Sequence, residues 1–300
     1  MRSAILPAVL KQTHSDRLPT ISIAGPGNLG TALASTLSSA GYEVKFIAAR
    51  GKGLTAATTK ALARKLKARL VEIGKQSLDT DLVWITVPDD AIAGVAKTLA
   101  GSPGWKGKVV FHSSGALTSD ELAPLRDRGA RVASVHPMMT FVRGAAPHMA
   151  GVAFAVEGDA AAVRVAKSIV ERLGGDAFSI RKENKVLYHV FGSFASPLVI
   201  ALMASLEQVA LAAGIRKQDI KAIMVPLLWQ TLHNYLKHDA AAAFSGPLAR
   251  GDVATVQKHL EELKKLPQAQ EVYVALARAA LKNLPVKNRR ELEGVIIKLV

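Results

Sequence analysis

The sequence predicts an α/β fold with a doubly wound parallel sheet, followed by an all-helical C-terminal domain. Three observations carry this prediction. Short β-rich runs alternate with helically spaced stretches from Thr20 to Ile180, the pattern of a parallel sheet with helices on both faces. After Arg181 such runs stop. A glycine-rich turn joins the first run to the first helical stretch, which is where a strand-to-helix ligand turn has to lie.

Taken in order, Met1 to Leu18 has one early arginine and an apolar patch broken by Pro7, with no small-residue cleavage site; it is expected to be a flexible extension and not a signal peptide. Thr20 to Ala24, Asn28 to Ala40 and Tyr42 to Ala48 make a strand, a helix and a strand. A basic helix is expected over Lys60 to Arg69, with Leu62, Leu66 and Leu70 as its apolar stripe and its cations in water. Leu82 to Val87, Val109 to Phe111 and Arg131 to Val135 are further strands, alternating with helices at Asp89 to Ala100 and Ser119 to Arg128. Asp89 or Asp90 is placed to cap the first of those helices. Val152 to Val156, Asp159 to Leu173 and Ala177 to Ile180 add a last strand, helix and strand. The expected division is thus an extension over 1–18, a sheet domain over 19–180 and a helical domain over 181–300.

Val186 to Leu206 carries no Asp, Glu, Lys or Arg and is nominally long enough to cross a bilayer. Its His189, Gly192, Pro197 and three serines favour instead a helix buried on all sides of a soluble domain, so no membrane partner is expected. On the helix Ile220 to Lys237, Trp229 and Leu232 are expected to pack inward.

With 49% apolar residues among 300, the chain can build a core in each domain, which excludes a disordered protein. It has no cysteine, so thiolate chemistry and disulfides are excluded, and a cytoplasmic location is expected. A net charge of +15 favours anionic partners. Nucleic acid is not expected among them, since aromatics are only 5% and no reading motif is present. The histidines show no metal-ligand spacing supported by acids, so no metal is expected.

Gly25-Pro26-Gly27-Asn28-Leu29-Gly30 follows the first strand and opens the first helix. In a Rossmann-type dinucleotide turn the first glycine permits the bend, the second lets a pyrophosphate approach backbone N–H groups, and the third allows close helix packing. The second strand ends in Ala48-Ala49-Arg50-Gly51-Lys52, offering two cations and no acid, which suits the 2′-phosphate of NADP better than the 2′-hydroxyl of NAD. The alternative is that Arg50 and Lys52 simply face water.

Leu82 to Ile92, with Val87-Pro88 closing its strand, is followed by Phe111 to Ala116 and by Val135-His136-Pro137-Met138. Together with Lys185 to His189, Pro226-Leu227 and Ser245 to Asp252, these motifs resemble short-subunit dehydrogenase-like oxidoreductases predicted from sequence, relatives of pyrroline-5-carboxylate reductase and ketopantoate reductase. The resemblance spans nearly the whole chain after the extension. It implies an N-terminal NADP domain, a C-terminal domain of the 6-phosphogluconate dehydrogenase C-terminal-like type that dimerises, and a substrate site in the cleft between them. One departure is Ser196-Pro197, where the resemblance implies Ser-Asn.

Lys185, His189, Gly192 and Ser196 are spaced four, three and four apart, one stripe on a helix of otherwise apolar residues. Buried cations and imidazoles need partners, and hydride transfer to a carbonyl or imine needs a proton donor, so Lys185 is the first candidate and His189 the second. The alternative is that Lys185 begins a helix in water and His189 makes a structural hydrogen bond. Ser113 and Ser114, after one strand, and His136, at the end of the next, lie at the carboxyl edge of the sheet, where they could contact the nicotinamide ribose or substrate. Arg250 can bind a substrate carboxylate bidentately, beside an Asp252 expected to cap the next helix. These residues point to a dimeric NADPH-dependent reductase of a small anionic oxo acid or of an imine. The alternative is a regulatory module that binds NADP without catalysis.

Overall fold

The computed structural model describes residues 17–142 and 149–297, so the expected extension lies almost wholly outside the described residues. The chain divides by its contacts into compact units over 1–192 and 193–300. The first contains β1 (Ile21–Ala24), α1 (Asn28–Ser39), β2 (Val44–Ala49), α2 (Lys52–Thr55), α3 (Ala57–Lys65), β3 (Arg69–Glu72), β4 (Leu82–Ile85), α4 (Asp89–Ala100), β5 (Val109–His112), α5 (Ala123–Arg126), β6 (Arg131–Pro137), β7 (Ala153–Gly158), α6 (Ala160–Arg172), β8 (Asp176–Ser179) and most of α7 (Lys185–Ala195).

The eight strands form one sheet in the order β3-β2-β1-β4-β5-β6-β7-β8. The first six are parallel, the doubly wound order that places every strand's carboxyl end on one edge. β7 departs from the expected parallel arrangement: it runs antiparallel to β6 and then pairs in parallel with β8. The sheet is a Rossmann-like one, with apolar side chains filling both faces. Ile21, Ile23, Leu33 and Trp84 are withdrawn from water on one side, and Ile85, Val95, Val110 and Leu122 on the other. Trp84 packs edge-on against Phe111.

The basic helix expected over Lys60 to Arg69 is corrected. α3 ends at Lys65, Lys67 takes a left-handed φ of 54°, and Arg69 opens the edge strand β3, whose pairing with β2 outweighs the helical spacing. The cap expected at Asp89 or Asp90 is corrected too. Pro88 occupies the cap position of α4 and no side chain caps it; the two aspartates stand in the first turn instead.

The second unit contains α8 (Pro197–Ala212), α9 (Lys217–Lys237), α10 (Ala240–Ala243), α11 (Pro247–Arg250), α12 (Val253–Leu263), α13 (Pro267–Asn283) and α14 (Arg289–Ile297). Val256, Leu260, Val274, Leu281, Leu292 and Ile296 make its core, between α12, α13 and α14. Asp252 caps α12 as expected, its carboxylate accepting from the Thr255 N–H and hydroxyl.

Two expectations about the helices fail. The run Val186 to Leu206 is not buried on all sides: no residue of α8 is buried, and Val186, Leu187, Phe191, Phe194 and Ile200 are exposed. Trp229 and Leu232 do not pack inward, being 66% and 46% exposed on a helix that buries only Ile220. Lys182–Ala212 is also long and apolar enough, by length and composition, to cross a membrane.

Candidate functional site

The glycine turn performs its three tasks at distinguishable places. Gly25 takes a φ of 104°, and a side chain there would meet Val87 Cγ1 at 2.6 Å. A Cβ on Gly30 would come within 2.2 Å of the Gly25 carbonyl and 2.5 Å of Thr86 Oγ1, so this glycine lets α1 close onto the turn. Thr86 Oγ1 donates to that same carbonyl at 2.7 Å, pinning the turn to the end of β4.

Gly27 differs from both. A Cβ there would meet nothing within 4 Å. This open position sits at the cap of α1, where no side chain caps the helix and no acid stands in the first turn. Backbone N–H groups at an uncapped helix start, beside a glycine fronting empty space, fit a pyrophosphate. Asn28 and Leu29 open that helix, and Asn28 Nδ2 donates to the Phe141 carbonyl at 3.0 Å. Val87, just past β4, borders the turn at Gly25, and Pro88 follows it at the start of α4.

At the end of β2, Arg50 and Lys52 are exposed on either side of Gly51. The structure adds one group that β2 alone does not show. Glu72, on the neighbouring β3, lies opposite Ala49, so an acid does stand near the end of β2.

At the ends of β5 and β6 the expected polar residues converge, with different duties. Ser113 Oγ accepts from Trp84 Nε1 at 2.8 Å. Ser114 Oγ donates to Asp89 at 2.6 Å and accepts from the N–H groups of Leu117 and Ala116, so its hydroxyl is consumed by its own turn and has no proton for a ligand. His112 accepts from the Ser114 N–H through Nδ1 and meets the Thr118 carbonyl through Nε2, which sets its tautomer with Nε2 as the donor. Burial pushes its pKa down to about 4, so this ring is neutral at physiological pH.

Lys185 does not begin its helix in water. It is completely buried, its Nζ donating to the Ser114 carbonyl at 3.0 Å and to Ser134 Oγ at 2.6 Å. Burial lowers its pKa to about 8, opposed by the charges of Glu157 and Asp89. Neither carboxylate touches it: Glu157 is taken up by the N–H and hydroxyl of Ser119, and Asp89 by Ser114. The side chain thus ties α7 to the loop after β5 and reaches no solvent-facing position.

Two imidazoles, His136 of β6 and His189 of α7, pack on Gly115. A Cβ on that glycine would lie 2.7 Å from His189 Cδ2 and 2.9 Å from His136 Nε2. His136 Nδ1 lies 2.9 Å from the Tyr188 hydroxyl, and its ring is edge-on to those of Tyr188 and His189. Burial, reinforced by Lys185 and His189, lowers the His136 pKa to about 4; burial alone raises that of Tyr188 to about 12. Sequence reasoning passed over Tyr188. It stands three residues after Lys185, on the same helix face, and that spacing was the available signal.

The expected stripe stops at Gly192. Ser196 has φ −134° and ψ −79°, because the following Pro197 disfavours helical geometry before it, and it starts α8 instead. Arg250 ends α11 in the second unit, exposed, before a Gly251 with φ 69°. Ser196 and Arg250 thus belong to the second unit, whereas the other expected residues gather in the first. Lys185 and Tyr188 hold the start of α7 against β6 and the loop after β5. Among the described residues no group of His, Asp or Glu could hold a metal ion.

Two family models match the chain. Residues 7–137 match a Rossmann-like domain and residues 152–280 a domain of unknown function, DUF2520. Solved structures share the chain's fold at low identity. A candidate NADP oxidoreductase from Bacteroides fragilis is 19% identical, with a TM-score of 0.72 over 87% of this chain and 97% of that one. An imine reductase from Myxococcus stipitatus in complex with NADP+ is 17% identical, with a TM-score of 0.65 over 93% and 100%. A pyrroline-5-carboxylate reductase from Coxiella burnetii is 15% identical, with a TM-score of 0.56 over 87% and 98%. A search of curated proteins finds no match.

Proposed function

We propose that this Rossmann-like–DUF2520 chain is an NADPH-dependent oxidoreductase that reduces a small oxo acid or imine, and that it belongs with the short-subunit dehydrogenase-like enzymes it resembles. The observation that carries the cofactor is the open position at Gly27 beside the uncapped start of α1, with Arg50 and Lys52 at the end of the next strand. The structural neighbours support it, since their names include an NADP oxidoreductase and an imine reductase with NADP+.

Bound there, the cofactor supplies hydride. Gly25, Gly27 and Gly30 shape the turn that holds its pyrophosphate, while Arg50 and Lys52 pair with its 2′-phosphate. Catalysis rather than mere binding is supported by the shifted pKa values of Lys185, His136 and Tyr188 around one loop at the carboxyl edge of the sheet. With its Nζ buried, Lys185 acts as a positioning residue: it fixes the Ser113 to Gly115 loop from behind.

Fluorescence titration tests the reading. NADPH binds more tightly than NADH, Arg50→Ala weakens NADPH roughly tenfold through a lost charge-assisted contact, and Arg50→Asp reverses the preference. Equal affinities for the two cofactors reject the 2′-phosphate assignment.

The protein also acts, on this reading, as a homodimer through its helical part. The large apolar side chains left exposed on α8 and α9 of the second unit amount to on the order of 1,000 Å², more than the largest patch of an ordinary monomer. An area of that order per partner is what a stable dimer interface uses. A monomer by light scattering at micromolar concentration would end this part of the proposal.

A further inference from the structure

The stretch Lys60 to Arg69 carries Lys60, Arg64, Lys65, Lys67 and Arg69, and nothing in their spacing groups them. The fold does. Lys60, Arg64 and Lys67 line a shallow hollow of about 550 Å³ whose remaining lining is Ala63, Ala68 and Leu70, so its walls are cationic, its floor is apolar and no acid stands in it. Lys65 and Arg69 are not part of it. All three of its cations are exposed, and among the described residues none of them makes an ion pair.

Two observations separate this group from an ordinary solvated face. Lys60 and Arg64 stand four residues apart on α3, where like charges repel, and the helix dipole favours Arg64 in the last turn but gives Lys60, in the first half, no such support. Lys67 sits where a glycine would be easier. Its φ is 54°, its N–H bonds the Arg64 carbonyl at 3.1 Å and the Ala68 N–H bonds the Ala63 carbonyl at 2.9 Å, the paired closure that glycine usually makes past a helix end. Backbone strain thus accompanies the third cation of the hollow.

We propose that this hollow binds an oligophosphate, a chain of two or more linked phosphoryl groups, at a site separate from the glycine turn. From Lys60 to Lys67 the cations are staggered over about 10 Å of helical rise, which suits linked phosphoryl groups better than one tetrahedral anion. Arg64 can engage two phosphoryl oxygens through its planar fork, with a lysine as a point charge to either side. The bound anion cancels the repulsion along α3. The two sites lie at opposite edges of the sheet: Lys67 leads into β3, whose Arg69 pairs with Phe46, whereas Glu72 at the far end of β3 pairs with Ala49, beside Arg50 and Lys52. The inference is therefore independent of the oxidoreductase reading.

Calorimetric titration of the full chain with sodium tripolyphosphate at low salt tests it. Lys60→Gln combined with Arg64→Gln is expected to weaken binding by about tenfold or more, while Arg50→Ala leaves it within about twofold. Lys67→Gly weakens binding about threefold and raises the urea midpoint, because it removes a charge and relieves the backbone, so loss of affinity is separated from loss of fold. Adenosine triphosphate binding more tightly than tripolyphosphate, with the excess lost in the double variant, assigns a nucleotide source whose base rests on Ala63, Ala68 and Leu70; equal binding assigns free polyphosphate. Unchanged affinity in the double variant or in Lys67→Gly overturns the site, as does a loss in Arg50→Ala instead. Citrate or single phosphate binding as tightly as tripolyphosphate would show general cation attraction, and duplex DNA displacing tripolyphosphate at equal phosphate concentration would show a nucleic-acid surface; either result also rejects the proposal.

Discussion

The α/β unit and the α8–α9 pair are built from similarly apolar stretches and meet opposite fates. Ile21, Ile23, Leu33, Leu37, Trp84 and Phe111 are entirely withdrawn from water, each sandwiched between sheet and helix. On α8 nothing is buried and on α9 only Ile220, although Leu198, Ile200, Leu227, Trp229 and Leu236 are as hydrophobic as anything in the sheet. Burial is a property of partners and not of composition: a parallel sheet covers its own apolar residues with crossover helices, while a helix that is apolar all round needs neighbours on every side. The α12–α14 core shows that the second unit can bury side chains where its helices surround one another. The bare surface of α8 and α9 is the one that the proposed dimer would cover.

Breaking that surface should have the largest effect. Trp229→Asp combined with Leu236→Asp on α9 is expected to weaken self-association by about 10³-fold, at roughly 2 kcal/mol for each lost anchor. NADPH affinity should stay within about twofold, since the glycine turn lies in the other unit. Sedimentation across a concentration series, run beside a cofactor titration, measures both; a double variant that still associates like the wild type would remove the contrast between the two regions.

Next in size comes the buried ammonium of the α/β unit. The folded-state pKa of Lys185, about 8, lies below its ordinary 10.5, so between pH 8 and 10.5 the unfolded chain holds more protons. Stability should therefore rise with pH across that window, by up to about 3 kcal/mol, and be flat for this group below it. Urea denaturation of the wild type and Lys185→Met at pH 7.5 and 10 isolates the group, because the other lysines titrate in both proteins. Equal pH slopes would show Lys185 to be solvated.

The imidazoles of the same unit give a second window, on the acid side and with the same sign. His112 and His136 have folded pKa values of about 4, below the ordinary 6.5, so the unfolded state holds more protons between pH 4 and 6.5. Their stabilising effect is complete above pH 6.5 and is lost as pH falls through that window. Replacing His112 with Asn should flatten the acid limb of the stability curve by on the order of 2 kcal/mol. An unchanged acid limb would mean that His112 protonates freely in the fold.

The smallest effect concerns an acid beside a cation pair. Glu72→Gln removes a negative charge opposite Ala49, near the Arg50 and Lys52 end of β2. NADPH affinity should rise about two- to threefold at low salt and much less at high salt, as expected for a partly screened surface charge. A fall in affinity would place Glu72 as a ligand of the ribose instead.

Much of this was legible in the chain alone. Gly25 and Gly30 announced their turn because the positive φ of the first and the close approach at both are constraints on the backbone itself, felt within a few residues, while Gly27 was legible by its spacing between them. Alternating β-rich and helical runs marked most of the sheet for the same reason. The edge strand Arg69–Glu72 was missed, since its apolar residues continue the helical spacing of α3 and only its pairing with β2 stops the helix at Lys65. The helical spacing of Lys185, His189 and Gly192 was legible, and Pro197 ends that helix before Ser196.

Partnership was decided elsewhere. That Lys185 is buried against Ser114 and Ser134, that Tyr188 reaches His136, and that Glu72 stands beside β2 all depend on which strands lie side by side, over separations of more than twenty residues. The sequence by itself determined the backbone conformations and the apolar stretches that had to leave water. Only the tertiary structure decided which polar groups face one another, because hydrogen bonds and charge–charge interactions act over a few ångströms of space regardless of distance along the chain.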